Sequence, residues 1–249
     1  MSDLVVYYGT ERPVPSWSTS VVDTDVVLQP YHPMVQKSGF RTAFPRARRF
    51  VYVNPTTIDP WRLERRSSTP PLTEASDDWG LPRLDLHRAA GWECSIEEAA
   101  SAAASGSDEL DGLFVDDADR IDAEQFARFT ADVSDRLGWL PRLFVNRGFA
   151  LWATAPAIDA VLIEDVRGTA PVDHDDDGAA RWMREVIAPA VARISERAAR
   201  VHRIEYSDTA AHVDVFANEV SSSLVDSEWM TATRPLNTWP AAARGTEHQ

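Results

Sequence analysis

The sequence predicts a single-domain (β/α)8 barrel, the TIM-barrel architecture of the α/β class, and three observations carry that expectation. Short apolar runs recur eight times along the 249 residues, each stopping abruptly at polar residues. Most of these runs do not alternate with polar residues, as expected of strands buried on both faces of a parallel sheet. Helical segments lie between several of them, and strands alternating with helices build parallel sheets. A doubly wound open sheet is the main alternative. It calls for a glycine-rich phosphate loop after the first strand, and "YYGTERPVPSW" offers only Gly9.

The expected strands are "LVVYY" (4–8), "DVVLQ" (25–29), "FVYVN" (50–54), "GLFVD" (112–116), "RLFVN" (142–146), "AVLIE" (160–164), "VHRIEY" (201–206) and "VDVFAN" (213–218). Among the expected helices, 95–106 opens with Ser95 three residues before Glu98, the spacing of a capping box, and closes on Gly106. The segment 122–138 begins at Asp122 and ends at Gly138, with Phe126, Phe129 and Val133 on one face. The longest, 178–201, holds Pro189, which marks a kink or break. Segments 31–49 and 62–92 are rich in Pro, Ser, Thr and Arg and are expected as irregular loops with short helical turns. Residues from about 230 to 249 are expected as a short tail.

Composition bounds the function. Hydrophobic residues make up 44% and charged residues 26%, enough apolar content for a real core. The formal net charge of −14 argues against a nucleic-acid backbone or an anionic membrane as partner and would attract a cationic substrate. With Lys37 the only lysine and aspartate abundant, adaptation to a GC-rich genome or a salty host explains the acidity equally well. No apolar run approaches a membrane span. The N-terminus has no basic region, long apolar stretch or cleavage site, so a cytoplasmic location is expected. Cys94 is the only cysteine, which excludes an intrachain disulfide and a cysteine-built zinc site. The six histidines show no metal-binding pairing, so neither metal nor cofactor is expected. No serine-nucleophile elbow occurs, and the acids around Cys94 oppose its activation. "DHDDDG" (173–178) resembles half of a calcium loop, but its twelfth position falls on Arg184, so a solvated acidic loop is the expectation.

In a (β/α)8 barrel the active site forms at the C-terminal ends of the strands. The exits here carry Tyr8, Gln29, Asn54, Asp116, Asn146, Glu164, Glu205 with Tyr206, and Asn218 with Glu219. Asp116 after "GLFV" and Glu164 after "AVLI" place a carboxylate at the mouth of two buried strands. Two facing acids are what glycosidic cleavage requires: one ionised, the other protonated to donate to the leaving oxygen. The structural alternative is that Asp116 caps its loop and Glu164 pairs with an arginine such as Arg147. Trp17, Trp61, Trp79 and Trp92 sit in loops where their faces could stack on sugar rings, while Trp139 and Trp182 suit packing.

"VVYYGTERP", "LDGLFVDDAD", "LFVNRGF" and "IDAVLIEDV", in that order and covering roughly residues 4 to 219, resemble glycoside hydrolase family 114, the endo-α-1,4-polygalactosaminidase and spherulin-4-like group. The resemblance implies a retaining mechanism with Asp116 as nucleophile and Glu164 as acid/base. It also implies an amino-sugar polysaccharide as substrate. Asn146 and Arg147 match the family's "NRG" and would contact the sugar, Tyr8 and Gly9 match strand one, and Tyr206 matches a tyrosine-bearing strand seven. Asp117 and Asp119 would shape the loop or hold substrate hydroxyls and amines, and Glu219 would join the rim. The chain departs from the family after strand three. A glycine–glutamate pair in a "YxSxGE"-like run is replaced by "FVYVNPTTID", leaving Asn54 or Asp59 as substitutes. That departure keeps two other readings open: a catalytically silent barrel binding carbohydrate or a protein, and a divalent-metal phosphohydrolase built on Asp116, Asp117 and Asp119.

Overall fold

Among the described residues, eight parallel strands form one sheet whose order follows the chain, with a two-stranded hairpin set apart. The computed structural model describes residues 4–13, 15–19, 21–77, 80–106, 108–153, 158–164, 183–197, 199–206 and 229–232. In chain order the elements are β1 (Leu4–Tyr7), α1 (Pro15–Ser18), β2 (Val22–Leu28), α2 (Pro33–Gln36), α3 (Phe40–Ala43), β3 (Arg46–Val53) and α4 (Pro60–Glu64). The hairpin β4 (Leu72–Ser76) and β5 (Pro82–Leu84) follows, then α5 (Ala89–Ala104), β6 (Gly112–Val115), α6 (Ala123–Leu137), β7 (Arg142–Asn146) and β8 (Ile158–Glu164). The described chain ends with α7 (Ala188–Ser195), β9 (Arg200–Tyr206) and β10 (Trp229–Ala232).

Period-two alternation splits the apolar residues of the strands into two separate cores. Leu4, Val6, Val27, Phe50, Phe114, Phe144, Ala160, Leu162 and Ile204 form one cluster, the lumen. Their strand neighbours, such as Val5, Val51, Val115, Val145 and Val161, pack outward with Phe126, Phe129 and Trp152. This double burial is why the runs do not alternate with polar residues.

Side chains across the lumen show how far the sheet curls. Asp25 on β2 accepts from His202 Nε2 on β9 at 2.7 Å and lies 3.3 Å from the Arg200 guanidinium. In a flat sheet those strands would stand five steps of about 4.8 Å apart, about 24 Å. The fold is a (β/α)8 barrel, as predicted. Asp25 also binds Arg48 of β3, so an ionic cluster fills the lumen near the N-terminal ends of the strands.

Some boundaries differ from expectation. Helix α6 matches: Asp122 accepts from the Gln125 backbone N–H at 2.8 Å, Gln125 answers in a full capping box, and Gly138 closes the helix at φ 71°. Helix α5 begins six residues earlier than expected. Ser95 is not its cap but is buried in mid-helix, donating to the Pro55 carbonyl at 2.7 Å. Glu98 is correspondingly free of a capping duty and binds Arg62 and Arg66. The expected loop 62–92 contains the hairpin, and 31–49 contains α2, α3 and the first residues of β3. Pro189 opens α7 behind a π-turn at Met183–Ile187 instead of kinking one long helix, since a proline is tolerated in a first helical turn. β10 lies where a tail was expected, in parallel register with β9. "WMTA" is too short to register as a strand by pattern. The expected strand 213–218 and the acidic loop 173–178 lie outside the described residues.

Candidate active site

Three adjacent strands bring Asp116, Asn146 and Glu164 together. β6, β7 and β8 pair in parallel, Val115 level with Val145 and Asn146 with Leu162. Each strand therefore delivers its exit residue to the same mouth. The Asn146 side-chain nitrogen donates to Asp116 Oδ1 at 2.7 Å and also to Glu164 Oε2. An amide NH2 carries two hydrogens about 120° apart, so the two carboxylate oxygens it binds stand roughly 4.5 Å from one another. The arrangement also fixes the amide's orientation, because an oxygen facing two carboxylates would be repelled.

Asp116 receives two further donors. The Tyr52 hydroxyl donates to Oδ2 at 2.7 Å, and the Asp117 backbone N–H donates to Oδ1 at 2.8 Å. Tyr52 belongs to β3, stacks on Phe114 and meets Tyr8 edge-on at 5.6 Å. Asp116 is pushed up to about 7, first by burial and then by the charges of Glu164 and Asp117, against the opposing pull of Tyr52 and Asn146. The Glu164 charge is thus the second cause of the rise, and the site keeps a proton on Asp116 to near neutrality. The Tyr52 phenol is raised by its own burial and by Asp116, so it stays a proton donor.

Arg147 stands behind the acids, its guanidinium 3.4 Å from Asp117 and 3.9 Å from Glu164. Burial alone would lower it, but Glu164, Asp119, Asp116 and Asp117 together hold it above its ordinary value. Asp117 also accepts from the Asn54 amide at 3.1 Å. Two non-glycine residues just past the strand exits, Asp117 at φ 48° and Arg147 at φ 56°, adopt the left-handed conformation. Such strain costs of order 1–3 kcal/mol and concentrates at functional sites. The Asn146 oxygen and the Arg147 Nε are buried without a hydrogen-bond partner among the described residues. An unmet acceptor and an unmet donor on consecutive residues are unusual in a finished interior and suit a polar ligand.

The other expected site residues fall as follows. Tyr8 ends the first strand run in the lumen, and its carbonyl accepts from the Tyr31 hydroxyl at 3.2 Å. Asn54 is largely spent on its own loop, its oxygen accepting from the backbone of Thr56 and Thr57. Asp119 is exposed in a short 3-10 turn beyond the mouth. Tyr206 ends β9, but its side chain lies outside the described residues, as do Glu219, Trp79, Trp182 and the side chain of Trp17. Trp92 is no sugar platform: it is buried, donates to Asp132 on α6 at 2.8 Å and carries Arg128 on its ring. Both contacts of the structural alternative exist, since Asp116 caps its loop and Arg147 approaches Glu164. They coexist with the bridging of the two acids by Asn146. Tyr52 was not among the predicted residues, because a reading of strand exits stops at Asn54. The signal was two positions back, on the same face of the strand.

Comparison with known proteins supports the fold. No protein-family model matches the sequence, and no curated protein matches it. The crystal structure of Aspergillus fumigatus Ega3 in complex with galactosamine aligns with a TM-score of 0.64 at 14% identity, over 96% of this chain and 93% of that one. An α-amylase from Lactobacillus plantarum aligns at 0.45 and 12% identity, over 94% of this chain and 71% of its own. The maltogenic α-amylase AmyB from Thermotoga neapolitana aligns at 0.47 and 11%, over 94% and 67%.

Proposed function

We propose that the protein is a glycoside hydrolase that cleaves an amino-sugar polysaccharide with retention of configuration. The observation that carries this reading is the sharing of one amide nitrogen by Asp116 and Glu164. The resulting separation of roughly 4.5 Å is near the about 5–5.5 Å of a nucleophile and an acid/base, whereas an inverting pair needs about 6.5–9.5 Å to admit a water. The likeness to Ega3, solved with galactosamine, supports the choice of sugar.

Three donors converge on Asp116, the pattern that suits an ionised nucleophile. Retention then requires that the proton, which burial and neighbouring charge hold on Asp116 in the free site, pass to Glu164 as substrate binds. Asp116 attacks the anomeric carbon while Glu164 protonates the departing glycosidic oxygen, leaving a glycosyl ester on Asp116. Glu164, now ionised, takes a proton from water. That water attacks the anomeric carbon, and the ester breaks to regenerate the Asp116 carboxylate. Asn146 holds both acids in line, and Tyr52 supports the charge that Asp116 gives up and regains. The unmet Asn146 oxygen and Arg147 Nε serve substrate hydroxyls. The phosphohydrolase reading is weaker, because Asp116 and Asp117 are engaged by Tyr52, Asn146, Asn54 and Arg147 while Asp119 is exposed on the following turn and acts on Arg147.

The test compares wild type with Asp116→Asn and Glu164→Gln on de-N-acetylated α-1,4-galactosaminan oligomers, following new reducing ends and the anomer first released. Each substitution should reduce turnover at least a thousandfold, and wild type should first release the α-anomer. Equal turnover in all three proteins, or release of the β-anomer, would sink the mechanism. Saccharide binding without turnover in the wild type would favour the silent barrel.

A further inference from the structure

Beside the catalytic acids a second concavity opens between the loops that follow β2 and β3. An inner cavity of about 130 Å³ is lined by Gln29, Tyr31, Tyr52, Asn54, Thr57 and Asp59, among others. Tyr52 and Asn54 also belong to the site already described, since they bind Asp116 and Asp117. Outward, past Pro30, Arg62 and Glu98, it continues into a shallower hollow of about 310 Å³ flanked by Trp61 and Arg65. Together they reach the size of a pocket that holds a small ligand, about 300–1,000 Å³.

The chemistry of this groove differs from that of the acid pair. Its charges are already matched, because Arg62 faces Asp59 at 3.6 Å and binds Glu98, while Arg66 binds Glu97 and Glu98. Apart from Arg65 and the Arg62 Nε, what remains unspent among the described residues is neutral. The Gln29 amide and the Thr57 hydroxyl make no hydrogen bond with other described residues, although both lie in the cavity wall. Two aromatic rings form the rim: Tyr31 and Trp61 meet edge-on at 6.5 Å and stay 37% and 40% exposed. Arg62 and Arg65 lie over the Trp61 ring at 5.2 and 5.1 Å and fix its plane. Arg65 pairs with no carboxylate among the described residues, so it is able to exchange the ring face for a ligand hydroxyl. Exposed aromatic surface beside unspent neutral donors and acceptors, with charges cancelled, suits a polyhydroxylated ring without a charge.

We infer that this groove is a second saccharide subsite, specific for an uncharged hexose or N-acetylhexosamine, with Gln29 and Thr57 as its polar contacts and Tyr31 and Trp61 as its platform. The inference rests on the glycosidase reading and deepens it. The substrate then spans the acids and the β2–β3 groove, and one of its sugars lacks a free ammonium group.

The test uses the full-length Glu164→Gln protein and calorimetric titration with galactosamine, an α-1,4-galactosamine tetrasaccharide and its fully N-acetylated counterpart. The N-acetylated tetrasaccharide should bind at least tenfold more tightly than the monosaccharide. Adding Tyr31→Ala or Trp61→Ala should reduce that tetrasaccharide affinity fivefold or more, while Leu140→Ala, on a distant exposed side chain, should not. Unchanged tetrasaccharide affinity in both aromatic variants would overturn the subsite and leave the glycosidase reading intact. A larger loss of affinity in the aromatic variants for the de-N-acetylated than for the N-acetylated tetrasaccharide would overturn its neutrality. Binding of none of the three sugars would remove both readings together.

Discussion

Replacing Asp116 by asparagine should abolish turnover and yet stabilise the fold at alkaline pH. A shift from 3.8 to about 7 is roughly three pKa units at about 1.36 kcal/mol each, so ionising this buried carboxyl in the folded barrel costs on the order of 4 kcal/mol. With the folded value raised, the protonated form favours the fold below the unfolded pKa, and that contribution is lost as pH rises from about 4 through about 7. Asparagine does not titrate and escapes the cost. It is also a poorer acceptor: one of the donors from Tyr52, Asn146 or Asp117 would meet an NH2 group, a penalty of about 1–3 kcal/mol. The net expectation is that Asp116→Asn is more stable than wild type by about 1–3 kcal/mol at pH 8 and less stable at pH 4. Urea denaturation followed by tryptophan fluorescence at both pH values reads this directly. A stability difference that is the same at pH 4 and pH 8 would refute the reasoning, because the cost would then not be electrostatic.

Asp25→Asn should act in the opposite sense and destabilise the barrel by about 3–5 kcal/mol near neutrality, since it strands the largely buried Arg48 guanidinium and takes an acceptor from His202. The Asp25 carboxyl is held below its usual value by His202 and Arg48 despite the larger opposing effect of burial. Its stabilisation is therefore full above the ordinary carboxylate range and drains away as pH falls beneath it, which a thermal-melt series from pH 7 to pH 3 would show as a steeper loss in wild type than in the variant. Gly112→Ala should leave little folded protein by circular dichroism, because an added Cβ would lie 2.1 Å from the Arg142 carbonyl oxygen across β6–β7. A soluble, native-like Gly112→Ala protein would show that these strands can part more readily than their ladder suggests.

The legible parts of the sequence are those where one local rule acts alone. The strands that stop at Asp116, Asn146 and Glu164 are buried on both faces, so their apolar runs end sharply and their exits are readable. Helix α6 is marked at both ends by Asp122 and Gly138. Helix α5 carries a misleading mark, since Ser95 and Glu98 have capping spacing but are claimed by Pro55 and by two arginines in and just after α4. Propensity cannot anticipate such long-range partners. Tyr52 was hidden for a related reason. Its value comes from facing Asp116 across a strand pair 64 residues apart in sequence, and nothing near it in the chain announces that.

The aromatic layer of the lumen lies between two populations of charge. Phe50, Phe114 and Phe144 pack edge to face between the Asp25 cluster near one end and the Asp116–Glu164 pair at the other. Distance does the separating: Arg48 and Asp116 stand six strand positions apart, roughly 20 Å. Protons gained or lost on the floor have a weak lever on the proton that the mouth must hold. Selection on either end, for rigidity below or for a new substrate above, is thereby freed from retuning the other.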